Sequence, residues 1–304
     1  MKSKKVGKMK QSWNDKVFDG ICGLFLILFV ISVFYPLYFV VMASFSDPVY
    51  VNSGEILLYP KGFTLAGYEQ IFYTRDVWIG YLNTILYTVG GTTLGTMAVV
   101  MAGYALSCKD LWGRNVIMKL LVFTMYFGGG TIPMYLVIRS LGLLDTRILM
   151  IILGSVSVYN IIVVRSFMIS NIPDELVDAA TIDGCDQGTF FVKIVVPLSK
   201  AVISVIVLYI AVSYWNSYFN AMMYLTDDKK YPLQLFLRQI LLQASSMTSM
   251  IEDMTDPEQI AKLETTAQVI KYSLIVVATA PILCVYPFIQ KYFVKGVMIG
   301  SVKG

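Results

Sequence analysis

The stretch NIPDELVDAATIDGCDQGTFFVKIVVP, residues 171–197, decides how this chain is read. It is a polar interruption with structured character, and apolar runs long enough to cross a bilayer flank it on both sides. Pro173 suits the first turn of a helix, where its missing N–H costs nothing. Asp174 and Glu175 follow, and acidic residues are favourable at a helix N-terminus. Leu176, Val177 and Ala180 share one helical face, while Glu175, Asp178 and Ile182 share another. Gly184 ends this helix. Asp186 suits the cap of a second helix through Phe190, Phe191 and Ile194, stopped by Pro197. The stretch therefore predicts two short helices joined by a tight turn. On physics alone such a hairpin either rests on lipid headgroups or docks into a soluble partner.

The flanks are those of a membrane protein. Of 304 residues, 57% are hydrophobic and only 14% are charged, against about a quarter charged in soluble domains. A core of this size has no room for so many apolar side chains, so lipid is the expected solvent. The basic N-terminus carries no convincing secretory cleavage pattern, and the apolar run behind it is long enough to remain as an anchor. Four cysteines (Cys22, Cys108, Cys185 and Cys284) have no motif spacing and read as reduced and structural. Histidine is absent, which removes the commonest general base and metal ligand.

Six spans are expected. The first runs from about Ile21 to Ser44, with a kink at Pro36 and an aromatic girdle at Tyr35, Tyr38 and Phe39. Residues 45–78 carry turn signals at Asp47-Pro48, Ser53-Gly54 and Pro60-Lys61-Gly62, and predict a small ordered cap. The second span, about Asn83 to Leu106, is rich in Gly and Thr, which suits close helix packing. The third, about Val116 to Ile138, contains Gly128-Gly129-Gly130 before Pro133. No Gly-Lys-Ser/Thr follows these glycines, so a local break or a close helix approach is expected rather than a nucleotide loop. The fourth runs from about Ile148 to Met168, the fifth from about Ala201 to Tyr224, and the sixth from about Ile270 to Ile289. An acidic loop from Leu225 to about Val269 separates the last two.

Charge orients this layout. With both ends inside, the inner segments hold 15 Lys+Arg against 8 acids, and the outer ones 9 against 12. The basic excess lies inside, as the positive-inside rule requires, and residues 171–197 fall in the cytoplasm.

The residues of that stretch also resemble a family motif. Asp178-Ala179-Ala180, three residues, Gly184, nine residues, Ile194, one residue and Val196-Pro197 match the spacing of the EAA motif of ATP-binding-cassette (ABC) importer permeases. Asp178 replaces Glu and Val196 replaces Leu. IPDELVDAATIDG and the ending YFVKGVMIGSVKG look like the carbohydrate permeases, the group that includes the second permease of the maltose importer. YPLYFVVMASFSDP and FGGGTIPMYLVIRSLGLLDT look like the branch handling complex oligosaccharides such as rhamnogalacturonan, alginate fragments or glycans.

The resemblance implies an all-α, polytopic, type I importer permease fold of six transmembrane helices. A basic cytoplasmic N-terminus over 1–20 would precede a permease domain over 21–290, with a cytoplasmic tail over 291–304. Residues 171–197 would be the coupling loop seated on an ATPase subunit. Glu175 and Asp178 would face that partner, with Asp178 on a basic residue. Ala179 and Ala180 would allow close packing, Gly184 would supply the turn, and Ile194 and Pro197 would complete the motif. The tail Gly300–Gly304 resembles one that reaches between the ATPase subunits. Implied partners are a second permease, two ATPase subunits, an extracellular or periplasmic sugar-binding protein and the lipid bilayer of a bacterial plasma membrane, with no nucleic acid. ATP and Mg would sit on the ATPase, and this chain would bind no cofactor.

Sugar recognition uses aromatic faces and amides. Tyr214, Trp215, Asn216, Tyr218 and Asn220 have that chemistry, as do Tyr159 with Asn160 and Asn83 with Tyr87. An interfacial aromatic belt accounts for the same residues. A secondary transporter would want ionisable groups in mid-span, and Lys119 and Arg165 both lie near inner ends. An enzyme acting on lipid-linked sugar would want paired carboxylates, a histidine or a metal set, and the sequence shows none. The same importer with a non-sugar cargo stays open.

Overall fold

The structure is a computed structural model and describes residues 12–251, 270–284 and 287. The expectations for residues 1–11, the acidic stretch 252–269 and the C-terminal tail lie outside the described residues. Every regular element among the described residues is helical.

The described chain forms two compact units. The first runs through residue 70 and includes residues 247–276. It opens with α1, Trp13–Ser44, which continues through Pro36 without a break. None of the apolar window of α1 is buried within the chain. Phe25, Phe29 and Phe34 are 60–69% exposed, an arrangement stable only in lipid or against another subunit. The segment behind α1 is compact, as its turn signals predict. The Asp47 carboxylate caps α2, Pro48–Asn52, by accepting from Val49 N–H at 2.9 Å. Asp47 N–H donates to Lys61 C=O and Thr64 N–H to Phe45 C=O, each at 3.0 Å. Tyr38 Oη donates to Leu58 C=O at 2.5 Å. The start of α3, Ala66–Tyr73, is held by Tyr68, whose ring stacks on Phe45 and whose hydroxyl meets Ser44 Oγ at 2.7 Å.

The second unit, residues 71–246 with 277 onward, is built on α4, Arg75–Ser107. This helix starts a turn or more before the expected Asn83. Its small residues pack as their density suggests. A Cβ on Gly95 would lie 2.1 Å from Ser155 C=O, one on Gly103 would lie 2.6 Å from Val164, and one on Gly91 would lie 2.1 Å from the Tyr214 ring. Only glycine permits these approaches.

Three expected spans are not single helices. The third is α5, Arg114–Tyr126, and α6, Thr131–Ser140, bent by 112° at Phe127–Gly130. The glycines there make a break rather than a close approach. A Cβ on Gly128 would meet nothing within 4 Å, and Gly130 has φ +85°. The fourth is α7, Arg147–Ile152, and α8, Val158–Asn171, separated by an open turn at 153–157 in which Gly154 takes φ +85°. The fifth is α12, Lys200–Trp215, and α13, Phe219–Tyr224, interrupted at 216–218. Between α8 and α12 come α9, Asp174–Ile182, and α10, Gln187–Phe190. A π-helix, Phe191–Val195, and a short turn of α11, Val196–Leu198, then lead into α12 through an 80° bend.

After α13 comes α14, Leu233–Ile251, in a region expected to be loop. Its apolar residues recur at helical spacing from Leu233 through Leu237 to Leu241, the period that marks an amphipathic helix. The acidic content of the surrounding stretch hid that pattern. The last described helix, α15, is Ile270–Cys284. α1 and α4 are each long and apolar enough to cross a bilayer, and the bent pairs α5–α6 and α10–α12 raise that number to four.

Candidate functional site

The 171–197 stretch folds as a helical hairpin. Pro173 sits at the N-cap of α9, one position before the expected first turn. Gly184 takes φ +69°, the left-handed conformation that terminates a helix and favours glycine. Cys185 N–H then donates to Ala180 C=O at 2.9 Å, closing the turn. The Asp186 carboxylate caps the next helix by accepting from Thr189 N–H at 2.8 Å and Thr189 Oγ1 at 2.7 Å. These bonds hold its carboxyl below the usual range, with the Thr189 side chain contributing most. Pro197 does not stop the second helix, which runs on through Leu198. The turn arrives at Ser199, whose hydroxyl is buried without a partner among the described residues.

The two motif alanines separate. Ala180 is 9% exposed and joins the core, whereas Ala179, Glu175 and Asp178 are exposed. Ile194 is half-buried and Pro197 is exposed. The outer face of the hairpin also presents Ile182 at 86% and Val192 at 63% exposure. It is thus a carboxylate-bearing surface with a flat position at Ala179 and apolar shoulders.

The hairpin is fastened to the end of α4. Tyr104 Oη donates to Gln187 Oε1 at 2.9 Å, and its ring lies 4.9 Å from that of Phe191. Lys109, in the loop behind α4, pairs with Asp174. That contact raises the Lys109 pKa, through the hydrogen bond first and the Coulomb attraction second. Arg114 donates to Ser107 and Cys108 C=O, and Arg165 Nε to Leu106 C=O at 3.0 Å, so two cations cap the C-terminal end of α4. A cleft of 780 Å³ lies between these elements, floored by Met168 and Phe190 and rimmed by Asp110, Glu175 and Asp178.

Helices with this apolar surface and this hairpin have counterparts of known kind. A permease protein of a polygalacturonan/rhamnogalacturonan transport system, YtcP of Bacillus subtilis, is 41% identical over 295 residues, 96% of this chain and all of that protein. The chain belongs to the permease subunits of ABC sugar importers. LplC of Bacillus subtilis is 37% identical over 97% of this chain and 98% of its own. A chain in the crystal structure of a bacterial ABC transporter importing the acidic polysaccharide alginate superposes with a TM-score of 0.82. It is 31% identical, and the match covers 94% of this permease and all of that chain. No protein-family model matches the chain. The permease is an integral membrane protein, and its relatives belong to ATP-driven import systems.

The residues expected from the sequence to line a sugar pathway divide into two groups. Asn83 Nδ2 donates to the C=O of Lys229 and Tyr231, and Tyr87 Oη to that of Lys230. Tyr214 Oη donates to Ile151 and Leu153 C=O, Trp215 Nε1 to Ala278 C=O, and Asn216 Nδ2 to Val212 C=O. In these five the polar atoms hold the permease's own main chain. Tyr159 is 53% exposed, and Asn160 is 7% exposed two residues into the same helix. Tyr218 is 39% exposed, with the Arg238 guanidinium 4.9 Å from its ring centre, and Asn220 is half-buried nearby on α13.

An ion cluster beside this region escaped the sequence reading. Asp145, in the turn between α6 and α7, takes φ +56°, which Asp tolerates better than most side chains. Its Oδ1 accepts from the N–H groups of Thr226 and Asp227, each at 3.1 Å. Its Oδ2 accepts from Lys230 Nζ at 2.7 Å. These contacts, led by Lys230, hold the carboxyl down at about 2. With the Asn83 and Tyr87 bonds they lock residues 226–231 against α4 and the α6–α7 turn. Single acids and lysines in a loop carry no sequence signal for such a pairing.

Proposed function

We propose that the chain is one of two permease subunits of an ATP-driven importer for acidic oligosaccharides, the fragments of pectin-like or alginate-like polymers. The observation that carries this reading is full-length identity of 41% to a permease of a polygalacturonan/rhamnogalacturonan system. The likeness to a chain of an alginate importer supports it. In this reading residues 21–290 form a type I permease domain of six spans in the bacterial plasma membrane. The basic residues 1–20 and the tail 291–304 lie in the cytoplasm. The bent pair α5–α6 and the interrupted pairs α7–α8 and α12–α13 count as one span each, because broken helices are stable in a bilayer where protein or a water-filled pathway covers them.

The hairpin is the coupling element. Its exposed Glu175 and Asp178 meet a basic residue of an ATPase subunit, Ala179 allows the close approach, and Ala180 anchors the hairpin to its own core. Gly184 keeps the turn tight, while Ile194 and Pro197 lead the push into α12. Tyr104, Gln187, Lys109 and Asp174 pass it to α4. Two ATPase subunits hold and hydrolyse ATP with Mg, a second permease completes the pathway, and an external binding protein delivers the sugar. This chain needs no cofactor.

The test is Asp178→Arg combined with Gly184→Pro in the full complex. The expected outcome is loss of ATPase co-purification or of substrate-stimulated hydrolysis, with the permease pair still assembled. Unchanged assembly and stimulation would remove the coupling role. The cargo is tested separately, by uptake of oligogalacturonides into vesicles containing the whole importer. Failure to import any acidic glycan while importing another solute would overturn it.

A further inference from the structure

The open turn at 153–157 leaves polar groups without partners inside an apolar region. α8 is fourteen residues long, and its N-cap, Ser157, makes no side-chain capping bond. The first bonded N–H of the helix is that of Ile161, accepted by Ser157 C=O at 3.1 Å. The N–H groups of Val158, Tyr159 and Asn160 precede it and point out of the helix end. Unpaired N–H groups in an apolar surrounding are costly.

Asn160 adds an unsatisfied side chain at this helix end. Its side chain is 7% exposed, and its amide takes part in no hydrogen bond within the described residues. Helical side chains lean toward the N-terminus of their helix, so Asn160, in the first turn of α8, leans toward the open turn. A third orphan lies opposite. The contacts of Gly95 with Ser155 and of Gly103 with Val164 set α4 and α8 side by side and parallel. Thr96 follows Gly95, which meets Ser155, so Thr96 lies at the depth of the open turn itself, about one helical turn from Asn160. Thr96 Oγ1 is buried with no partner among the described residues. Access is open from one side, where Val156 and Tyr159 are 50% and 53% exposed. Between Asp145 and Asp174 the chain has no acid but carries Arg147 and Arg165.

We propose that the open turn between α7 and α8 is a carboxylate subsite for the uronate units of the transported oligosaccharide. The N–H groups of Val158, Tyr159 and Asn160 take the carboxylate at the positive end of α8, as half-helix termini within membranes do for anionic groups. The Asn160 amide bonds an adjacent sugar hydroxyl, and the Tyr159 ring packs on the sugar face. This assignment rests on the acidic-oligosaccharide reading above and names where in this chain the acid group is recognised.

The test uses the whole importer in vesicles, with saturating loaded binding protein. It compares uptake of oligogalacturonides with uptake of their methyl esters of the same length. Ser157→Asp caps α8 with a fixed carboxylate, which stabilises the helix while occupying the N–H groups. The expected result is a fall of about tenfold in the acid-to-ester uptake ratio, the loss of one charge-assisted contact, with assembly intact. Asn160→Leu, close to isosteric, lowers uptake of both forms. An unchanged ratio in Ser157→Asp, with both forms imported by the wild type, would overturn the subsite and leave the cargo reading standing. Import of neither form by the wild type would instead sink the cargo reading and the subsite with it.

Discussion

Replacing Gly95 by Ala tests the packing on which the helical frame depends. The added Cβ would lie 2.1 Å from Ser155 C=O, where real Cβ contacts stay beyond 3.0 Å. The helices must therefore part by about 0.9 Å, the difference between those distances. The opposing atom is main chain, so no rotamer change relieves the clash. The turn that carries it is also pinned, because Tyr214 Oη donates to Ile151 C=O at 2.6 Å. Overpacking of this kind costs about 1–3 kcal/mol. Gly23→Ala is the control, since a Cβ there meets nothing within 4 Å on a helix that buries none of its apolar window. Both changes gain the same helix propensity, about 1 kcal/mol, so it cancels in the comparison. Thermal unfolding of the purified permease complex in detergent reads the difference. Gly95→Ala should unfold below Gly23→Ala by about 1.5 °C for each kcal/mol in a chain of 304 residues. Equal midpoints would refute the close approach of α4 to the α7–α8 turn.

Asp145 makes the 226–231 loop acid-sensitive. Its folded pKa of about 2 lies below the ordinary carboxylate value of about 3.9. Its contribution is therefore fully present above pH 4 and lost as pH falls through 2. Exchange protection of the Thr226 and Asp227 amides, taken against their intrinsic rates at each pH, should fall in that window in the wild type, and should already be low and independent of pH in Asp145→Asn. Lys109→Ala breaks a pair whose side chains are 71% and 65% exposed; the unfolding midpoint should not move, because solvent screens such pairs. Gly184→Ala forces an alanine into φ +69°, and should lower stability by about 1 kcal/mol in the same thermal assay.

Much of the hairpin was legible. Gly184 and Asp186 each act within a turn of where they stand in the chain, through a left-handed dihedral and a cap that are local by nature, and Asp174 and Glu175 lie in the first turn of α9 as their charge suits. Pro197 misled because its fixed φ is also helical. The preceding π-helix opens the ladder, so the chain runs through the proline. The sugar-pathway candidates were legible only as chemistry. Aromatic and amide side chains suit a glycan, but Asn83, Tyr87 and Tyr214 found main-chain carbonyls from elements tens of residues away. Nothing local announces that. The breaks differ in the same way. Gly128-Gly129-Gly130 flagged the bend between α5 and α6, whereas the turn between α7 and α8 contains a single glycine in an apolar run.

Composition and charge bias by themselves settled that lipid is the solvent, because 57% hydrophobic residues exceed what a self-made core of this length can bury. Motif spacing identified the hairpin, because its turn and caps are local. Tertiary structure alone decided which polar side chains are spent on the chain's own carbonyls. Whether a buried amide is satisfied depends on where distant carbonyls end up, so Asn83 became a fastening, whereas Asn160 meets no hydrogen-bond partner among the described residues.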